Sequence, residues 1–537
     1  MASTANLRFR RSAAQLHALA GVEREIRAQD SHYRRKYLRE FSQSFREYDC
    51  VLDPQRLDQA IQRADIVLIG DYHALPAAQH YAAAAVEQRA LAGDRPVVLG
   101  VETIFARDQH ILDEWWRREI DENELRQRIR FDIDWGYDWA HFREVLASAR
   151  DHAEALYGLD CMPRDDLRRI GLRDCHASAK IVEMRRRHPN AVIFVLFGES
   201  HLAPGHLPQL LRDEMPEAKI VTVLQNVDAL YWRAAGERAN KVEAVRVNDD
   251  VVCVFNATPL EKYESYRLCL DQWSHAENEP DFAPTIYNLI GSLASFLEIN
   301  RYSPHNGTQP KFLVDMLPEV YGRSSDGMLR RLLSRNGVND HEFEAMLLRV
   351  EERGGAYLPE VNAFYMCELQ MVNAAEDVAG FLHQACRGLP RDVNRNETNG
   401  DTHHGNGLSE RRGAALPTCA AFHALVVENA LAYFGSKVLH PSTPALRGEP
   451  ETWSFATYDR AAQAAARSEN GKGVGETARE WGQRLGSLLY DAYLAGRWSK
   501  TSLRKLFLAH LDEPEVARNV CATIISKTRR SCRSVRV

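Results

Sequence analysis

Between residues 60 and 256, short and almost unbroken apolar runs alternate with longer amphipathic stretches, and few architectures accept that pattern. The runs are "DIVLIG" (65–70), "PVVLGVE" (96–102), "ALYGLD" (155–160), "AVIFVLFG" (191–198) and "KIVTVL" (219–224). Between them lie "PAAQHYAAAAVEQRALAG", "ARDQHILDEWWRREI", "WAHFREVLASARDHAE" and "DCHASAKIVEMRRRH", each with helical spacing of apolar residues. A strand that is apolar on every residue must be covered on both faces. Strand–helix alternation supplies that cover, so the expected fold is α/β: a mostly parallel sheet with helices on both faces, at about 50–256. "KVEAVRV" and "VVCVFN" (241–256) read as an added edge hairpin turning at "NDD".

The flanks read differently. Residues 1–49 form an N-terminal helical segment. After about 257 the strand signal disappears, and an all-α region is expected over 257–387 and again over 414–537. Residues 388–413, "LPRDVNRNETNGDTHHGNGLSERRG" with the preceding Gly, are polar and read as a flexible linker, with His403 and His404 as loop composition.

Composition narrows the function classes. The 537 residues carry a net charge of −6, which does not favour nucleic-acid binding by the whole chain. Residues 1–47 depart from that average with ten Lys/Arg against five Asp/Glu, as do the last eleven residues with five Lys/Arg and no acid. Both ends read as solvated termini. No run of eighteen apolar residues occurs, so no membrane span is expected. The first thirty residues hold no signal-like apolar stretch. Ten scattered cysteines without a CxxC give no support to a zinc knuckle and suit a reducing compartment, so a cytoplasmic location is expected.

Two of the predicted strands end alike. "VLIGDYHALP" (67–76) and "VLFGESHLAP" (195–204) both run apolar strand, Gly, carboxylate, any residue, His, two apolar residues, Pro. They place Gly70, Asp71 and His73 in one copy and Gly198, Glu199 and His201 in the other. Glu102 closes a third strand and Asp160 a fourth. Ligands in open parallel sheets sit outside the carboxyl ends of the strands, where such groups converge. Two imidazoles with carboxylates can hold a divalent metal, with His73, Glu102 and His201 as candidate ligands, or act in general acid/base chemistry. Arg173, opening a helix, is placed to stabilise an oxyanion. Glycine before the acid is expected to permit a sharp turn.

"GESHL" approaches a nucleophile elbow with Ser200, but Leu202 stands where the elbow wants glycine and the parallel copy has Tyr72 at the serine position. The histidine is therefore read as the purposeful residue. His80, on the following helix, reads equally well as an exposed helical histidine. "FDIDWGYDWAHF" (131–142) concentrates Phe131, Trp135, Tyr137, Trp139 and Phe142, either as core or as the wall of a flat apolar pocket.

The ordered set "ADIVLIGDYHALPAAQHY", "VVLGVE", "WGYDW", "GLRDCHASAKI" and "FVLFGESH" resembles the ChaN-like haem-binding uptake domain of the Tiki superfamily, related to TraB and erythromycin-esterase-like proteins. Gly70/His73, Glu102, Arg173 and Gly198/His201 match its pattern over roughly 60–225, and Asp71 stands where many relatives carry Glu. The resemblance implies a small-molecule ligand, haem or a metal cofactor, at the His/Glu site. It implies as the alternative a metal-dependent hydrolase of ester or peptide bonds, with His73, Glu102, Arg173, Glu199 and His201 as its machinery. His73, His201, Tyr72 and Tyr137 are the candidate axial ligands to haem. A third reading makes the helical half a protein-binding module. A homodimer remains open.

Overall fold

The computed structural model describes residues 4–30, 36–161, 170–237, 242–274, 280–301, 313–387, 419–443, 455–466, 474–511 and 514–529. The polar stretch 388–413, with His403 and His404, lies outside the described residues. Two compact units are present: Met1–Val22 with Glu277–Val537, and Glu23–Ala276.

The second unit is built on an eight-stranded sheet. Its strands are β1 Cys50–Leu52, β2 Ile66–Asp71, β3 Val97–Phe105, β4 Ala155–Asp160, β5 Val192–Gly198, β6 Ile220–Gln225, β7 Ala244–Arg246 and β8 Val251–Val254. Their spatial order is β1-β7-β8-β6-β2-β5-β3-β4. β8, β6, β2, β5, β3 and β4 run parallel to their neighbours in that row. The β7–β8 hairpin is antiparallel as the sequence suggests, but β1 pairs outside it, so the hairpin is not the edge. Three residues of strand carry too little periodicity for β1 to be read in advance.

The apolar strands are buried on both faces because alternate residues enter opposite cores. Val67 and Ile69 of β2 and Phe194 and Leu196 of β5 join one cluster with the helices at 76–91 and 139–152. Ile66 and Leu68, with Ile193, Val195 and Phe197, join the other with the helix at 170–187. Phe41 and Phe45 of the N-terminal segment also enter that second cluster, their rings packed edge-on at 5.1 Å.

The first unit is mainly helical, but not wholly. Its long helices include Ala283–Phe296, Met371–Arg387, Cys419–Leu439 and Val474–Leu494. Gly482 and Gly486 let the last of these approach Cys419–Leu439 closely: a Cβ at Gly482 would sit 2.3 Å from the Asn429 Cβ. A small sheet is also present, with Ala363–Met366 antiparallel to Gly355–Leu358 and parallel to Glu319–Tyr321. The helical region expected after 257 is present, with this small sheet as an addition to it. Asn362, in "EVNAFYM", takes a left-handed backbone at φ 47° and turns the chain between two four-residue strands. Among the described residues no helix is long and apolar enough to cross a membrane.

Candidate functional site

Strand order explains how residues between 29 and 128 positions apart meet. β2, β5, β3 and β4 are consecutive in the sheet, so His73, His201, Glu102 and Asp160 come from four adjacent strands or the loops that follow them. Asp71 lies opposite Gly198 in the β2–β5 register. Glu102 is not the end of its strand. β3 runs on to Phe105, and its register against β4 shifts after Val101, an irregularity that re-aims side chains.

Glu102 is the hub. It is 2% exposed and accepts hydrogen bonds from the Arg173 guanidinium and from the Gly198 backbone N–H. Arg173 forks onto Asp160 as well, with Nε to Oδ1 at 2.9 Å and NH2 to Oδ2 at 2.7 Å. The Nε2 atoms of the two imidazoles flank the same carboxylate, His73 at 3.5 Å and His201 at 3.8 Å. Burial alone would raise the Glu102 carboxyl, but Arg173, the two histidines and the Gly198 N–H outweigh it and hold it down to about 2. Burial likewise works against the Arg173 charge, yet Glu102 and Asp160 overcome it and raise its value further.

Each imidazole is held from behind by a buried aspartate. His73 Nδ1 lies 2.7 Å from Asp71 Oδ2, and Gln79 donates to the other Asp71 oxygen. His201 Nδ1 lies 2.5 Å from Asp174 Oδ1, while His206 Nδ1 meets Asp174 Oδ2 at 2.7 Å. A carboxylate at Nδ1 favours the tautomer whose Nε2 carries the lone pair. Glycine serves this arrangement by space rather than by turn: Gly198 has φ −49°, and a Cβ there would stand 2.9 Å from Glu102 Oε2.

Asp71, His73, Glu102, Arg173, Gly198 and His201 form the floor of a cavity of about 790 Å³, with Asp160, Asp174 and Gln79 supporting them from behind. Its walls come largely from outside the paired motifs. The helix Pro259–Ser274 contributes Lys262, Tyr263, Tyr266, Leu270 and Trp273, and the N-terminal segment contributes Asp30, Arg39, Phe41 and Arg46. Lys262 donates to both oxygens of Glu199 at 2.9 Å and stands over the Tyr72 ring at 4.6 Å from its centre. Burial would lower the Lys262 value, but Glu199 and Asp228 raise it and keep the ammonium charged. Tyr266 donates to Asp30 at 2.9 Å, and Tyr263 to Asp228 at 2.6 Å.

The residues singled out in the sequence are thus distributed as follows. Gly70, Asp71, Tyr72, His73, Glu102, Arg173, Gly198, Glu199 and His201 come together at the floor and its rim. Of the aromatic cluster only Tyr137 lines the cavity; Trp135 and Phe142 pack behind the His73 ring at 5.4 and 6.3 Å. Glu199 faces Lys262 rather than the imidazole pair. Ser200 lines the cavity without a hydrogen bond to either imidazole. His80 pairs with Glu144 at 2.9 Å, outside the cavity. Among the described residues, no group of three His, Cys, Asp or Glu is arranged to hold a metal ion. Each oxygen of Glu102 already accepts one hydrogen bond, from Arg173 and from the Gly198 N–H.

Asp174, Gln79 and His206 escaped the sequence reading, as did every wall residue beyond Tyr72 and Tyr137. Asp174 had one available signal, its place beside Arg173 in "LRDC" at the start of a helix facing the strand ends.

Comparison with known proteins returns one family and one structure. Residues 57–191 match the family model described as haem-binding uptake, Tiki superfamily, ChaN. The matched stretch ends before Gly198 and His201. No curated protein sequence matches the chain. The chain is also similar to a solved structure titled "Cofacial heme binding to ChaN of Campylobacter jejuni", at 14% identity over 33% of this chain and 86% of that one, with a TM-score of 0.26.

Proposed function

We propose, from the ChaN-like domain at 57–191, that the cavity over the strand ends binds haem and that His73 supplies an axial ligand. The carrying observation is the state of His73: its Nδ1 is engaged by buried Asp71, and the ring lines a 790 Å³ cavity. That volume falls in the range of small-molecule sites, about 300–1,000 Å³, and aromatic side chains with a few polar groups are the expected lining. Tyr72, Tyr137, Tyr266 and Trp273 offer flat apolar surface for a macrocycle. A histidine whose far nitrogen is held by a carboxylate is the usual form of an imidazole ligand. When bound, haem supplies an iron centre whose reactivity follows its axial ligand. Asp71 fixes the His73 tautomer, Gln79 fixes Asp71, and Trp135 and Phe142 set the ring plane.

Haemin titration followed by absorbance tests this. Wild type is expected to give a saturable Soret shift, and His73→Ala to lose or displace it while retaining its circular dichroism. A wild type with no saturable shift overturns the reading.

One observation favours a second reading, hydrolysis. Two Asp–His pairs, Asp71–His73 and Asp174–His201, face one ionised carboxylate that Arg173 clamps. In that reading an imidazole activates water and Arg173 steadies the charge that develops. Turnover of ester or peptide substrates, lost in both His73→Ala and His201→Ala, is its expected signature.

A further inference from the structure

Charge in the cavity is unevenly satisfied. Five carboxylates line it, those of Asp30, Asp71, Glu102, Glu199 and Asp228. Each already accepts a hydrogen bond from within the wall or floor: from Tyr266, His73, Arg173, Lys262 and Tyr263 respectively. Arg173 and Lys262 are consumed in doing so. The remaining guanidinium groups of the lining are Arg39 and Arg46, both exposed, and among the described residues neither makes an ion pair or a side-chain hydrogen bond.

Their placement is fixed by packing. Phe41 is 4% and Phe45 2% exposed, buried in the core cluster that also holds Phe197 and Leu202. These two rings anchor the helix Lys36–Ser44 and the residues just after it. Arg39, Gln43 and Arg46, four and three positions apart, then line the cavity with Ser42. Basic side chains held at the edge of an aromatic-lined cavity attract and orient an anion.

We infer that Arg39 and Arg46 bind the acidic groups of the ligand, which is a flat, largely apolar molecule carrying two carboxylates along one edge. This rests on the haem reading and names which part of the ligand meets which residues: the propionates meet the arginines, and the macrocycle meets Tyr72, Tyr137 and Trp273. Both arginines lie outside the stretch that matches the family model.

The test uses metal-free protoporphyrin IX and its dimethyl ester, read by tryptophan fluorescence quenching at low salt, on the full chain. These probes need no axial ligand. Wild type is expected to prefer the diacid by about tenfold, the product of two exposed ion pairs of roughly threefold each. Arg39→Gln/Arg46→Gln is expected to erase that preference by weakening the diacid alone, and 0.5 M salt to do the same in wild type. Equal affinity of wild type for diacid and ester, or an undiminished preference in the double variant, overturns the inference. So does failure of the diacid to bind. A retained diacid preference without a His73-dependent Soret shift for haemin upholds the arginine assignment and removes the axial one.

Discussion

The floor of the cavity and its walls are built on opposite principles. On the floor, Glu102, Arg173 and Asp160 are buried and their hydrogen bonds close on one another. The parallel strands that carry Glu102 and Asp160 leave little freedom, because each strand is gripped on both faces by a core, and Arg173 reaches them from the helix at 170–187. The walls come from the N-terminal segment and the helix at 259–274; Arg39 and Arg46 on them are exposed, and Tyr266 donates to Asp30 between the two. The floor is therefore suited to chemistry that needs fixed geometry, and the wall to selecting a ligand at modest energetic cost. Breaking the Glu102–Arg173–Asp160 network ought to destabilise the unit, and a change in the wall ought only to weaken binding.

The sharpest way to break that contrast is Arg173→Met. It leaves Glu102 and Asp160 buried without their cation, and such a break costs about 3–5 kcal/mol. Urea denaturation of the variant is expected to show that loss; a change under 1 kcal/mol would mean that water reaches the floor. Acid is the next probe. The Glu102 carboxyl is held at about 2 in the folded chain, against about 4.3 when unfolded. The folded state therefore favours the ionised form. Its contribution is complete above pH 4.3 and is lost as pH falls towards 2, a loss on the order of 3 kcal/mol. Glu102→Gln is expected to be less stable at neutral pH yet flatter between pH 4.5 and 2. Parallel stability curves for variant and wild type would contradict this.

Asp71→Asn tests the supporting shell. Without the carboxylate the His73 tautomer is no longer set, and haem affinity is expected to fall by about 10–100-fold with little change in fold. The wall stands at the small end. Tyr266→Phe removes one hydrogen bond to Asp30, worth about 0.5–1.5 kcal/mol, so a few-fold loss of porphyrin affinity and an almost unchanged melting midpoint are expected. A global destabilisation in Tyr266→Phe as large as in Arg173→Met would erase the distinction between the regions.

The same division sets how much the chain discloses before it folds. Strands β2 to β6 announce themselves because two-sided burial leaves continuous apolar runs, and the Gly-x-x-His ends stand out because they repeat. What joins them does not. The order β2-β5-β3-β4 is a property of pairing, and no residue in "VVLGVE" indicates that its neighbours are the strand leading to His201 and the strand ending on Asp160. Asp174 is hidden for the same reason: its partner is 27 positions away, across a contact that only the sheet creates. Arg39 and Arg46 were legible as charge but not as a site. Ten cations in the first 47 residues look like a solvated terminus until Phe41 and Phe45 are seen to pin that segment to the core. The three-stranded sheet at 319–366 stayed silent because three- and four-residue strands carry no usable period.

The two imidazoles differ in where their supporting carboxylates originate. Asp71 belongs to the chain leading directly into His73, two residues away, whereas Asp174 reaches His201 from the helix at 170–187. One ring is thus steadied by sequence neighbours and the other by a separate element. As the unit is loosened by denaturant, His201 loses its support when that helix leaves the sheet, while His73 keeps its own as long as β2 and its loop persist. Ring proton resonances of the pair would then part company in order. His201 would act as a gauge of helix docking and His73 as a gauge of the strand end itself.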